Sequence, residues 1–99
     1  MNRVKQVTFP TDPFVSEVSV LAQAIKSART QSGLSLVDAA MLCNVALQTL
    51  VDIEAGSHGV SIGKLLQVGD ALGVSLFTVR SNVRERARKQ LIALMQETV

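Results

Sequence analysis

Apolar residues recur along this chain with a helical period that is interrupted at a few turn-forming positions. Val18, Leu21, Ala22, Ile25 and Ala28 fall at helical spacing, with Ser16 placed to cap the helix and Gly33 to end it. Ser35 can cap a second helix, with Asp38 three positions on as the short acid of a near capping box. Ala39, Ala40 and Cys43 give that helix a small-residue face that another helix can approach closely. Asn44, which tolerates the left-handed conformation, marks a tight turn. A third helix is predicted from about Ala46 to Glu54 with Leu50 and Ile53 inward, and Gly56-Ser-His-Gly59 then reads as a loop. Ser61 caps a fourth helix bearing Ile62, Leu65, Leu66, Val68 and Leu72, Gly73 stops it, and a short closing helical turn is predicted within Val74–Val79.

The two ends carry different patterns. Residues 1–16 hold both prolines, Pro10 and Pro13, and the β-branched run Val4-Lys-Gln-Val-Thr-Phe9, which favours extended backbone. Three readings are open for this arm: a strand paired with a partner chain, a segment lying in a DNA groove through Arg3 and Lys5, or a loose terminus. Residues 80–99 place Val83, Ala87, Leu91 and Leu94 or Met95 on one stripe of a final helix, following Val79. That helix either packs on the domain or, the reading favoured, pairs with a second copy or a partner protein through Val83, Ala87, Leu91 and Met95. The chain thus divides into an arm (1–16), a central helical domain (17–79) and a carboxy-terminal helix (80–99).

Composition narrows the classes. With 99 residues, 47% of them hydrophobic, the chain suits one compact all-α domain. Three Phe and no Trp or Tyr argue against binding single-stranded nucleic acid by base stacking. Cys43 is the sole cysteine, so no internal disulfide can form and a thiolate-rich zinc site is excluded; a buried, reduced thiol is expected. The start of the chain lacks the apolar stretch of a signal peptide and no segment has the apolar length of a membrane span, so a cytoplasmic location is expected. His58 stands without a nucleophile or carboxylate at catalytic spacing, so an enzyme is not expected, nor a cofactor.

Charge is unevenly placed although the net is only +2. No Lys or Arg occurs from Thr30 to Gly63, while Asp38, Asp52 and Glu54 do. Half of the ten basic residues, Arg80, Arg84, Arg86, Arg88 and Lys89, lie in the last segment, opposed locally by Glu85.

The two short helices hinged at Asn44, from Ser35 to Gly56, have the shape of a helix-turn-helix, which offers a helix to the DNA major groove. Residues from about Leu21 to Val79 resemble the helix-turn-helix family of phage repressors and xenobiotic-response-element regulators. The resemblance rests on Arg29-Thr-Gln-Ser-Gly-Leu34, Ala39-Ala40, Asp52-Ile-Glu-Ala-Gly56 and Asp70-Ala-Leu-Gly-Val-Ser-Leu76. It implies a compact five-helix, lambda-repressor-like domain carrying the extended arm and the extra carboxy-terminal helix. It also implies a structural salt bridge between Arg29 and Glu54, and DNA contacts from Ala46, Leu47, Gln48, Thr49, Val51 and Asp52, with Ser57 in the loop beyond. Lys64 and Lys26 are candidate suppliers of positive charge. Gln48 is the best base reader of the set, able to pair bidentately with adenine. Leu36 departs from the family pattern, standing where a polar phosphate-touching residue is usual. Gly59 to Val74 looks closest to the HipB-like antitoxins, small helix-turn-helix proteins that dimerise, bind a kinase-type toxin and repress their own operon. The competing reading is a domain that keeps the fold but works as a protein-interaction module with weak or no specific DNA binding.

Overall fold

Val18–Gln31 (α1), Leu36–Cys43 (α2), Leu47–Glu54 (α3), Ile62–Leu72 (α4) and Arg84–Glu97 (α5) are the α-helices of the computed structural model, which describes residues 4–97; a 3-10 turn at Ser81–Val83 leads into α5. No strand occurs among the described residues, and the fold is all-α. Arg3 lies outside the described residues.

Local chemistry sets most of the helix ends. The Ser35 hydroxyl accepts from the Asp38 N–H at 3.1 Å and the Ser61 hydroxyl from the Lys64 N–H at 3.2 Å, each satisfying an amide that its helix cannot. Asn44 adopts φ 57° and ψ 47°, and the Val45 N–H reaches back to the Ala40 carbonyl at 3.1 Å, so the chain turns within three residues from α2 to α3. The start of α1 departs from expectation. Glu17, not Ser16, is the N-cap, because the Val20 N–H takes the Glu17 carbonyl as the first acceptor of the helix. The closing turn predicted within Val74–Val79 is irregular chain, and the helical turn comes later, at Ser81–Val83. Val74 is committed elsewhere: its N–H folds back to the Gly69 carbonyl at 2.7 Å. A Cβ at position 69 would stand 3.0 Å from the Val74 oxygen, tighter than most such contacts, so this close return favours glycine.

Helices α1 to α4 bury one core of Leu21, Ile25, Ala39, Ala40, Cys43, Leu50, Ile53 and Val68. Complete burial of side chains such as Ile25, Leu50 and Val68 stabilises the fold by roughly 1.5–3 kcal/mol each. The small face of α2 admits α3 across the turn at 109°, within the range of helix-turn-helix motifs. No single helix among the described residues is long and apolar enough to cross a membrane.

The arm is pinned to the domain. Strand pairing would use the Val7 N–H and C=O, and both are engaged: the Thr30 hydroxyl accepts from the N–H at 2.9 Å and the Gln31 amide donates to the carbonyl at 3.0 Å. The Gln23 amide holds the Thr8 carbonyl at 2.9 Å. Farther along, Phe14 meets Phe77 edge-on with ring centroids 6.1 Å apart, and the Arg88 guanidinium of α5 lies 4.8 Å over the Phe14 ring. Arg88 is also ion-paired with Asp12 and, at 3.3 Å, with Glu85. The arm therefore straps α5 to the molecule. Beneath the strap, Leu91 and Met95 of α5 line a cavity of about 230 Å³ with Phe9, Pro10, Leu21 and Leu76.

Because α5 is held by this clasp over a cavity, Phe14→Ala is expected to speed amide hydrogen exchange in α5 while leaving protection in α1 to α4 close to that of the wild type. Equal loss of protection in all helices would show that α5 is integral to the core.

Burial raises the Cys43 thiol above its ordinary value of 9.0 by disfavouring the thiolate. The unfolded chain ionises this thiol at lower pH than the folded one, so the stabilising contribution is complete below pH 9 and is lost as pH rises beyond it. Urea unfolding above pH 9 is expected to show a decline in stability that Cys43→Ala diminishes; the same decline in the variant would exclude Cys43 as its cause.

Candidate nucleic-acid interface

The structure brings Arg29 and Glu54 together as a two-bonded fork. Arg29 Nε donates to Glu54 Oε2 at 2.6 Å and Nη2 to Oε1 at 2.9 Å, while Nη1 donates to the Leu34 carbonyl at 2.9 Å. The two side chains are 8% and 7% exposed, so neither charge has bulk water as an alternative partner. A bidentate guanidinium–carboxylate pair is directional as well as strong, and this one ties the end of α1, the α1–α2 turn and the last residue of α3 to one another. It therefore sets where α3 sits.

A second tie holds the turn itself. Gln67 of α4 donates its amide to the Cys43 carbonyl at 2.9 Å and to the Asn44 carbonyl at 3.0 Å, gripping the backbone between α2 and α3. Nothing in apolar periodicity marks Gln67; its signal is a polar residue between Leu66 and Val68, indistinguishable from a solvated helix face. The same holds for Gln23 and Gln31, which bind the arm.

Held in this way, α3 presents a face of mixed chemistry. Ala46, Leu47 and Gln48 are exposed at its start, with Leu47 at 45%, whereas Thr49, Val51 and Asp52 are half-buried. The Gln48 amide donates to Asp52 Oδ1, one turn on, at 2.9 Å. One amide hydrogen and the amide oxygen remain for a base edge, the donor and acceptor that adenine requires. Asp52 thus orients the Gln48 side chain. Ser57 lies in the loop after α3 and accepts from the Gly59 N–H at 3.3 Å; Lys64 is exposed in the first turn of α4. Helices α2 and α4 open on capping serines, but α3 opens on Ala46, which leaves its first amides without a side-chain cap.

Of the residues expected at a dimer or partner surface, Val83, Ala87, Leu91 and Met95 lie half-buried along one side of the carboxy-terminal segment, Leu91 and Met95 turned toward the arm.

Two short helices crossing at 109°, the second locked from behind and open in front, define a helix-turn-helix domain of the DNA-binding kind. The helix-turn-helix family model matches residues 25–79, more than half of the chain, and the protein belongs to that family, the xenobiotic-response-element type of DNA-binding regulator. Comparison with curated proteins returns no match.

Removing one partner of the fork leaves a buried, uncompensated charge, so Arg29→Ala is expected to cost about 3–5 kcal/mol in urea unfolding. The double substitution Arg29→Met with Glu54→Leu, which replaces both charges with apolar bulk, is expected to cost much less. Equal losses in the two variants would mean that packing around the fork, and not its charge pairing, is what matters.

Proposed function

We propose that this protein is a dimeric transcriptional repressor that reads double-stranded operator DNA in the major groove, and that it is the antitoxin of a HipB-like type II toxin-antitoxin pair. In this reading it acts in the cytoplasm, binds a kinase-type toxin and represses its own operon. The observation that carries the DNA-reading part is the exposed Gln48, held by Asp52 on a helix whose position the Arg29–Glu54 fork sets. Leu47 and Val51 flank it with apolar surface suited to a thymine methyl group. Twofold pairing through Val83, Ala87, Leu91 and Met95 would present two such helices to successive half-sites, and each of the four side chains keeps part of its surface exposed.

A partner protein is supported by apolar surface that the chain leaves uncovered. Val37, Met41 and Leu42 on the outer face of α2 are 54%, 75% and 58% exposed, and Ile62 on α4 is 71% exposed. Apolar exposure of this kind marks protein contact surfaces.

A second reading is favoured by one specific observation, the absence of any Lys or Arg from Thr30 to Gly63. Phosphate neutralisation supplies most non-specific affinity, so a helix-turn-helix without it can serve as a protein-interaction module instead.

The readings separate in a footprinting and anisotropy experiment on the promoter of the protein's own gene, with and without the product of the adjoining reading frame. Repressor function predicts protection of a twofold site, and a loss of about 1–3 kcal/mol in its preference over mixed-sequence DNA for Gln48→Ala. Absence of any preference at low salt, with the neighbouring product present, would leave the interaction module as the function.

A further inference from the structure

The positive charge of this molecule is not on its reading domain. Over residues 17–79, Lys26, Arg29 and Lys64 are set against Glu17, Asp38, Asp52, Glu54 and Asp70, a net charge of −2 with His58 neutral, and Arg29 is consumed by Glu54. Over residues 80–99, five basic residues are set against Glu85 and Glu97, a net charge of +3. Within this segment Arg88 is engaged by Asp12, Glu85 and the Phe14 ring. The side chains of Arg80, Arg84, Arg86 and Lys89 are exposed and make no hydrogen bond or ion pair with the described residues.

Two further observations bear on what these cations are for. Leu91 and Met95 of α5 face the arm, whereas Arg84, Arg86 and Lys89, in the first two turns of the helix, are exposed. Arg84 lines a groove with Val15 and Ser16, and the same two residues line the neighbouring groove with Gly56 and His58, in the loop that follows α3. The cationic end of α5 and the end of the reading helix are thus joined along one continuous surface.

We propose that Arg80, Arg84, Arg86 and Lys89 grip the DNA phosphate backbone beside the site read by α3, supplying the electrostatic affinity that the helix-turn-helix lacks. This rests on the reading of the protein as a DNA-binding repressor and adds to it a sequence-independent contact outside the helix-turn-helix. Charge complementarity selects the partner. Three exposed cations on the strapped helix, with Arg80 just before the turn that leads into it, match a polyanion whose charges repeat at short intervals, and the proposed base-reading helix lies on the same chain.

The experiment measures binding of the full chain to a mixed-sequence DNA duplex and to its own promoter fragment over a series of salt concentrations. The variant carries Arg80→Ala, Arg84→Ala, Arg86→Ala and Lys89→Ala, all at exposed positions, and its fold is checked by thermal melting. Each lost phosphate contact is expected to lower the slope of log K against log salt by about one, so the slope falls by about four and affinity for both duplexes weakens together. The matching four-lysine variant (Arg80→Lys, Arg84→Lys, Arg86→Lys with native Lys89) is expected to keep the wild-type slope, because the contact depends on charge. Gln48→Ala, in contrast, should lose promoter preference with no change in slope. A wild-type slope in the alanine variant overturns the inference while leaving DNA reading by α3 intact. If that variant instead loses binding to the adjoining gene's product, the cations serve an acidic protein surface. Failure of the wild-type chain to bind either duplex overturns both the inference and the repressor reading on which it rests.

Discussion

The position of α3 depends on one buried ion pair. Arg29 lies near the end of α1 and Glu54 at the end of α3, and their fork fixes both the separation and the rotation of two helices that are not neighbours in sequence. Desolvation makes such a pair a weak source of net stability, since apolar side chains of similar volume can serve as well. What apolar packing does not supply as readily is direction. Two parallel hydrogen bonds, with a third from Arg29 to the Leu34 carbonyl, restrict α3 to one orientation, and a reading helix is useful only if its orientation is unique.

Around that pair, the motif is built from backbone geometry that small or flexible residues permit. Asn44 takes the left-handed conformation that brings α3 back across α2. Ala39, Ala40 and Cys43 leave room for the close approach, and Leu50 and Ile53 fill the space from the opposite side. Gln67 then closes the remaining polar demand by holding the carbonyls of Cys43 and Asn44, groups that the end of a helix leaves without partners. Turn, core and polar tie are mutually dependent: the turn brings the helices into contact, and Gln67 of α4 holds the carbonyls at its corner.

Much of this was legible in the sequence, and the boundary of what was legible has a physical cause. Local interactions declare themselves in short spacings. Ser35 and Ser61 as caps, Asn44 as the left-handed turn, Gly73 as the stop of α4 and the apolar stripes through Ile25, Leu50 and Val68 are all decided within a few residues. Arg29 and Glu54, far apart in sequence, were readable only through family resemblance, because nothing local connects them. Long-range polar contacts without a motif stayed hidden. The strap of Val7 to Thr30 and Gln31, the Asp12–Arg88 pair and the Phe14–Phe77 contact join segments whose local composition carries no mark of these contacts. Ser16 misled for a related reason: a residue suited to capping does so only if the chain is already turning at that point, and here it turns at Glu17.

The acids of α3 bear on where basic residues can be placed. Glu54 is required by the fork, and Asp52 orients Gln48, so two of the eight residues of α3 carry negative charge for structural reasons. A lysine or arginine one turn from Asp52 would pair with it across the helix surface, weakening its hold on Gln48 and neutralising its own attraction for phosphate. Charge placed in a separate element avoids both losses, provided that element is fixed relative to α3. The strap supplies that condition, since the arm bonds to α1 at one end and clasps Arg88 of α5 at the other, and α1 is the helix that carries Arg29. The orientation of α3 and the placement of the α5 cations therefore pass through the same helix, so a displacement of α1 would disturb both together.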